Sequence, residues 1–288
     1  MIKEFIISMR PRQWYKNLVI FVGIVFSFNL LNLNLWIDAI GAFAVFCAIS
    51  GSIYVLNDII DIEKDKTHPK KCMRPIASGK LNKSYALIFA IIFIGLALFV
   101  AYLINLWFLV STIAFFLLIL IYSVFLKHFI IVDIIIISTG FVIRAIAGCF
   151  AVGVLVSPWL IICAFLLALF LAIGKRRHEL VLLRGDAGNH RKILDGYSTE
   201  MLDQMINITT SALIMSYSLY TFFTGKIFIM LTIPFAFYGL FRYIYLVHKE
   251  NFGGEPEMLF RDRGMLFTMI LWVILIIVIL YGNIIFKF

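Results

Sequence analysis

This sequence is short of charge. Asp, Glu, Lys and Arg make up 14% of its 288 residues, against about 25% in an ordinary soluble domain. A soluble chain of 33.0 kDa has too much surface to cover with so few charges. Cysteine is equally sparse. The four present, Cys47, Cys72, Cys149 and Cys163, show no CxxC spacing, and three of them fall in apolar runs. That argues against both a disulfide framework and a zinc site. No small-residue cleavage site follows the first apolar run, which is also too long for the core of a signal peptide, so it is expected to span a membrane. No compelling pair of a histidine and a carboxylate offers itself as a general base.

What the chain has in abundance is apolar sequence, 63% of its residues. Several runs reach the roughly 20 residues that a helix needs to cross a bilayer core. Reading these runs between polar breaks predicts nine spans, at 18–35, 39–56, 85–104, 107–126, 130–152, 159–173, 205–224, 227–247 and 265–286. The expectation is an all-α polytopic membrane protein with a single transmembrane domain over 1–288. Gly148 and Gly153 leave the end of the fifth span either broken or extended.

The basic residues orient the chain. Lys and Arg number 25 against 16 Asp and Glu, an excess of +9. With the nine spans in place, 21 of the 25 fall on the face that carries the N-terminus, and only Lys226 and Lys287 on the other, with Arg144 and Arg242 inside spans. The positive-inside rule then puts the N-terminus in the cytoplasm, and nine spans put the C-terminus outside. Charge distributed this way requires no nucleic-acid partner. Outer loops are short, while the two long cytoplasmic loops, 57–84 and 175–204, follow the second and the sixth spans. Spans one to four and five to eight therefore read as two four-helix pseudo-repeats with a ninth helix added. Matching polar features in two halves point to a site where the halves meet; the plainer reading is that long inner loops collect topogenic charge.

The first long loop opens Asn57-Asp58-Ile59-Ile60-Asp61-Ile62-Glu63-Lys64-Asp65. If the second span continues as a helix, positions 58, 61 and 65 share one face, with Asn57 at its edge. Three carboxylates together repel one another and need a cation. Hard oxygen donors suit Mg²⁺, which keeps several waters and bridges to substrate phosphates. Such a metal would stabilise a diphosphate as a leaving group. The alternative is a solvated helix end paired with Lys64, Lys66 or Lys70, but acids at a helix C-terminus oppose its dipole and stability alone would not select them.

The motif NDxxDxxxD, followed by His68-Pro69 and by Arg74-Pro75-Ile76-Ala77-Ser78-Gly79, resembles the first signature of the UbiA superfamily of intramembrane prenyltransferases. The likeness covers almost the whole chain and implies nine helices with acidic motifs on the second and sixth. The second commonly reads DxxxD and holds another Mg²⁺ on the prenyl diphosphate. Here that position reads Lys175-Arg176-Arg177-His178-Glu179, so one acid is replaced by Lys175 and the other is Glu179. One branch, the decaprenyl-phosphate phosphoribosyltransferases, is similar in four segments: Arg10-Pro11 with Trp14, Lys16 and Asn17; Gly174-Lys175-Arg176 with Glu179-Leu180; Gly196-Tyr197; and Glu255 to Arg263 with its Arg-Asp-Arg element.

The resemblance to this branch implies a phosphoribosyl diphosphate donor, a polyprenyl phosphate acceptor in the bilayer, and an envelope-sugar precursor as product. Asp58, Asp61 and Asp65 would be Mg²⁺ ligands, with Asp58, Asp61 and Lys175 central to catalysis. Lys16, Asn17, Asn57, Arg74, Lys175, Arg176, Glu179 and Tyr197 would bind substrate. The acceptor phosphate is already anionic and needs no general base. Self-association is compatible with the resemblance. The alternative is a UbiA-type transferase moving a prenyl group from prenyl diphosphate to an aromatic or lipid acceptor, which the Lys175 replacement disfavours. A transporter without chemistry fits less well, because the polar groups cluster at the cytoplasmic edge.

Two further features ask for partners. Span seven carries Asn207, Thr210, Ser211, Tyr217, Ser218 and Thr221, expected to face the bundle interior and bond between helices. Arg144 lies eleven residues past Asp133, about 16 Å along a helix. Unpaired, it would cost at least about 2.5–3.5 kcal/mol. It is expected to be a structural hydrogen-bond hub.

Overall fold

The computed structural model describes residues 2–69, 71–182, 192–249 and 262–285, and all the regular structure among them is helical. The helices are α1 (Ile2–Ser8), α2 (Val22–Phe26), α3 (Leu33–Ile60), α4 (Ile62–Thr67), α5 (Lys83–Ile104), α6 (Leu106–Val124), α7 (Val132–Ala151), α8 (Pro158–Leu182), α9 (Thr199–Phe223), α10 (Ile233–Lys249) and α11 (Arg263–Ile285), with short 3-10 segments between some of them. Among the described residues seven stretches are long and apolar enough to cross a bilayer: α3, α5, α6, α7, α8, Ile227–Lys249 and Arg263–Gly282. This is an integral membrane protein. At 25 residues α9 is long enough as well, but its polar residues keep it out of that set.

Local chemistry sets the helix starts. Asn32, Asn82, Asn105 and Ser198 each cap a helix by accepting a backbone N–H from two or three residues ahead. The first expected span departs from a continuous helix. A 3-10 segment, Pro11–Phe21, leads into the five residues of α2, and the chain turns at Phe28, whose φ is +62°. The Asn29 amide donates to the Ser27 carbonyl at 3.0 Å, closing that turn. Apolarity over 18–35 concealed this break because a turn made by Ser27 and Asn29 occupies only three residues. Conversely α8 runs nine residues past the expected end of the sixth span and carries Lys175 to Glu179 on its last turns. The fifth span is one helix to Ala151, with Gly153 just past its end at a φ of +66°.

Two compact units share the chain. The first comprises Met1–Phe125 and Ile143–Val156. Its core gathers Ile20, Phe46, Ile49, Ile53, Phe108 and Phe115, with Phe46 and Phe115 ring centroids 5.1 Å apart. Ala86, Ala90, Ala97 and Ala101, all buried, form a stripe of small residues on α5 that permits close approach to α3. At Gly148 an added Cβ would overlap the Ile20 carbonyl, so only glycine lets the 3-10 segment cross α7 here. The second unit comprises Leu126–Val142 and Ser157–Phe288. Its core holds Ile134, Phe170, Ile173, Leu202, Ile206, Tyr243 and Leu246, and the Phe170 and Tyr243 rings meet at 4.7 Å.

Candidate active site

In the first unit the acidic motif is split by a break in the helix. α3 ends at Ile60, Asp61 occupies the turn, and Asp65 sits on the separate α4. The Asp65 N–H still donates to the Asp61 carbonyl at 2.9 Å, so the two helices remain linked. Asp58 and Asp65 are buried, each 2% exposed, and they meet on one guanidinium. Arg74 Nη1 lies 3.1 Å from Asp58 Oδ1 and 2.5 Å from Asp65 Oδ2. Arg10 adds a second cation, its Nη2 2.5 Å from Asp58 Oδ1 and its guanidinium 4.7 Å from the centre of the Tyr54 ring. Arg10 reaches this place from a left-handed backbone conformation, φ +52°, where α1 stops and the 3-10 segment begins. Asn57 and Asp61 are half-buried at the edge of the cluster.

Two buried carboxylates converging on a shared cation suit Mg²⁺, which is commonly held by one or two carboxylates together with substrate phosphates. They do not make an all-protein cage: among the described residues no group of three or more His, Cys, Asp or Glu is placed to hold a metal.

Asn17 lies deeper in the same unit. Its Oδ1 accepts from Arg144 Nε at 2.9 Å, and its amide donates to Cys47 Sγ at 3.3 Å. The Arg144 guanidinium also stands 4.3 Å from the centre of the Phe115 ring. Arg144 thus finds a hydrogen-bond partner in Asn17, 127 residues away in the chain. Lys16, next to Asn17, is half-buried with its ammonium 6.0 Å from the Tyr15 ring centre.

The second unit carries a different charge cluster, built around a residue that no motif singled out. Asp133, at the start of α7, is fully buried. Its Oδ2 accepts from Arg176 Nε at 2.7 Å and its Oδ1 from the Tyr197 hydroxyl at 2.9 Å. Arg176, 2% exposed, uses Nη1 on Glu179 Oε2 at 2.5 Å. Burial, with Asp133 alongside, pushes the Tyr197 phenol up to about 12, so it stays protonated and donates. Arg176 and Tyr197, both expected to touch substrate, meet on Asp133. Lys175, one residue along, has a side chain 41% exposed and a nitrogen 3.9 Å from Glu179 Oε1. A lone acid at the start of an apolar span was the only signal for Asp133 in the sequence.

Neighbouring pairs complete the polar edge of this unit. Arg177 grips Asp203 through Nε at 2.5 Å and Nη2 at 3.3 Å, with His248 Nε2 at 3.2 Å. Arg242 makes a two-point pair with Asp262, at 3.1 and 2.7 Å, and Asp262 caps α11 through the Met265 N–H at 2.8 Å. These hydrogen bonds, those from Arg242 first, hold the Asp262 carboxyl below the usual range. Glu255, Glu257 and Arg261 lie outside the described residues. The polar stripe of α9 bonds largely within its own helix: Thr210 donates to the Ile206 carbonyl and Ser211 to that of Asn207. Tyr217 is the exception, pairing with Thr232 at 2.6 Å and accepting from Trp272 at 3.0 Å.

A sequence profile of the UbiA prenyltransferase family matches residues 18–261. The chain belongs to this family. Among UbiA relatives, the decaprenyl-phosphate phosphoribosyltransferase of Mycolicibacterium smegmatis is 31% identical across 95% of this chain and 91% of its own. That of Corynebacterium glutamicum is 30% identical across 95% and 86%. The fold matches a UbiA homologue from Archaeoglobus fulgidus, solved with DMAPP and Mg²⁺, at a TM-score of 0.75 over 96% of this chain and 99% of that one, with 18% identity. At that identity the likeness establishes the UbiA fold alone.

Proposed function

We propose that this UbiA-family protein moves 5-phosphoribose from phosphoribosyl diphosphate to a polyprenyl phosphate of the decaprenyl-phosphate type and releases diphosphate. The observation that carries the reading is Lys175, a cation where the family's second acidic motif commonly begins, in a chain that is 30–31% identical to decaprenyl-phosphate phosphoribosyltransferases over 95% of its length. A diphosphate donor with a further 5-phosphate needs a cationic site beyond its metal site, and Lys175 meets that requirement.

In the first unit Asp58 and Asp65 would hold Mg²⁺ together with the donor's phosphates, with Asp61 at the edge of the site, and Arg74 and Lys16 would take phosphate oxygens. Bound there, Mg²⁺ would neutralise charge on the departing diphosphate. In the second unit Lys175 is assigned to phosphate, while Glu179, Arg176 and Tyr197 hold its surroundings. The acceptor oxygen bonds to ribose C1 as the bond from C1 to the diphosphate oxygen breaks, and the electron pair leaves with diphosphate. The ribosyl centre passes through an oxocarbenium-like state, as in glycoside hydrolysis. Because the acceptor oxygen is already ionised, no residue has to remove a proton.

The same reading includes nine membrane-spanning segments in two repeats plus one, made up of the seven apolar spans, α9 and the α2 region. It includes a cytoplasmic N-terminus in a bacterial inner membrane, a C-terminus outside, and self-association. The test uses the purified full chain with labelled phosphoribosyl diphosphate, polyprenyl phosphate and Mg²⁺. Labelled lipid is expected, without competition from dimethylallyl diphosphate. No labelled lipid across several acceptor lengths, with prenyl transfer detected instead, overturns the reading. Asp58→Asn should abolish turnover while the protein remains folded.

A further inference from the structure

Asp133 belongs to none of the sequence motifs, yet it organises the charged end of α8. Its two oxygens are taken by Arg176 and Tyr197, at 2.7 and 2.9 Å. We propose that Asp133 is a positioning residue for the phosphoribosyl donor, acting through Arg176 and Glu179 on the Lys175 ammonium. The proposal rests on the activity assigned above and adds a residue to it.

Arg176 is gripped on two edges, Nε by Asp133 and Nη1 by Glu179, which fixes the plane of the guanidinium. Glu179 in turn divides its oxygens: Oε2 goes to Arg176 at 2.5 Å, while Oε1 stays 3.9 Å from Lys175. A charge-assisted hydrogen bond closes to about 2.7–2.9 Å. Glu179 therefore balances the Lys175 charge without drawing it into a short bond. Asp133 and Glu179 set two carboxylates against the charges of Arg176 and Lys175. Remove the Asp133 charge and the buried Arg176 loses the carboxylate on its Nε edge and draws harder on Glu179, so the Glu179 carboxylate shifts toward it and the setting of Lys175 changes.

The backbone is built to keep Tyr197 on Asp133. Ile131 has a φ of +68°, a conformation that β-branched residues rarely adopt, and its N–H donates to the Tyr197 hydroxyl at 2.7 Å. Strain of this kind persists only where the surroundings over-determine it. At Gly196 the backbone passes so close to the Ile130 side chain that an added Cβ would push its end aside.

The test is steady-state kinetics and donor calorimetry on the full-length protein, with Asp133→Asn, Tyr197→Phe and the double variant Asp133→Asn/Arg176→Gln. Asp133→Asn should raise the KM and Kd for phosphoribosyl diphosphate about tenfold, with kcat and the KM for polyprenyl phosphate moving less than about threefold. Tyr197→Phe should act in the same direction, more weakly. The double variant removes both buried charges and should recover thermal stability without recovering donor affinity. Donor affinity that returns with stability, or a rise in both KM values together, overturns the proposal in favour of a purely structural role. An Asp133→Asn protein that binds donor like a normally active wild type overturns the positioning role alone. A wild type that neither binds donor nor labels lipid overturns the activity reading and this proposal with it.

Discussion

Arg74→Gln isolates the role of the buried carboxylates. Arg74 is the cation shared by Asp58 and Asp65, and its removal leaves two acids buried side by side. Breaking a fully buried ion pair costs about 3–5 kcal/mol. Two features reduce that here. Arg74 is 28% exposed along its side chain, so solvent screens part of the interaction, and Asp58 keeps Arg10 at 2.5 Å. The loss then falls chiefly on Asp65, and about 1–3 kcal/mol remains. At roughly 2–4 °C per kcal/mol, the melting temperature should drop by about 2–12 °C. Cys47 and Cys149 are buried and Cys72 and Cys163 half-buried, so with the latter two replaced by Ser a thiol-reactive fluorophore reports unfolding in detergent. The decisive arm is Mg²⁺. A metal at one hundred times its Kd stabilises by about 2.7 kcal/mol, and in Arg74→Gln it should replace the missing countercharge, so its stabilising effect should exceed that in wild type. Adding Asp65→Asn should abolish the gain. Equal Mg²⁺ shifts in wild type, Arg74→Gln and the double variant would refute the argument that these acids hold the metal.

Other expectations follow from particular contacts. Asn17→Leu removes the oxygen that accepts from Arg144 and should cost about 1.5–3 kcal/mol, the range for a hydrogen bond to a charged group, read as a lower melting temperature. Gly148→Ala places a methyl against the Ile20 carbonyl, a backbone atom that cannot turn aside. It should cost about 3 kcal/mol or more and show up as poor recovery of monodisperse protein on size exclusion. The depressed Asp262 carboxyl contributes stability that is present above its unfolded pKa and lost as pH falls through its lower folded value. Asp262→Asn should flatten that acid limb of a melting-temperature profile, and an unchanged limb would assign the acid sensitivity elsewhere. Lys175→Met should weaken binding of phosphoribosyl diphosphate at least about tenfold by calorimetry.

Composition and run length were enough to establish the membrane class, because a bilayer imposes a length and a polarity on every segment that crosses it. The spacing of Asp58, Asp61 and Asp65 marked a polar centre, and the similar segments around Lys16, Lys175 and Tyr197 marked the branch of the family. Each of these signals is local, legible within a turn or two of helix. What each side chain faces was not legible. The sequence marked Arg176 and Tyr197 but not their meeting on Asp133, 43 and 64 residues away. A helix break at Asp61 and the arrival of Arg74 decided that Asp58 and Asp65 would meet, and an Asn17 contact spanning 127 residues settled Arg144. The physical reason is the same throughout. Hydrophobic length and helical spacing are fixed by neighbours in the chain, but the countercharge of a buried ion is fixed by whichever distant element packing brings beside it, and only the tertiary structure decides that.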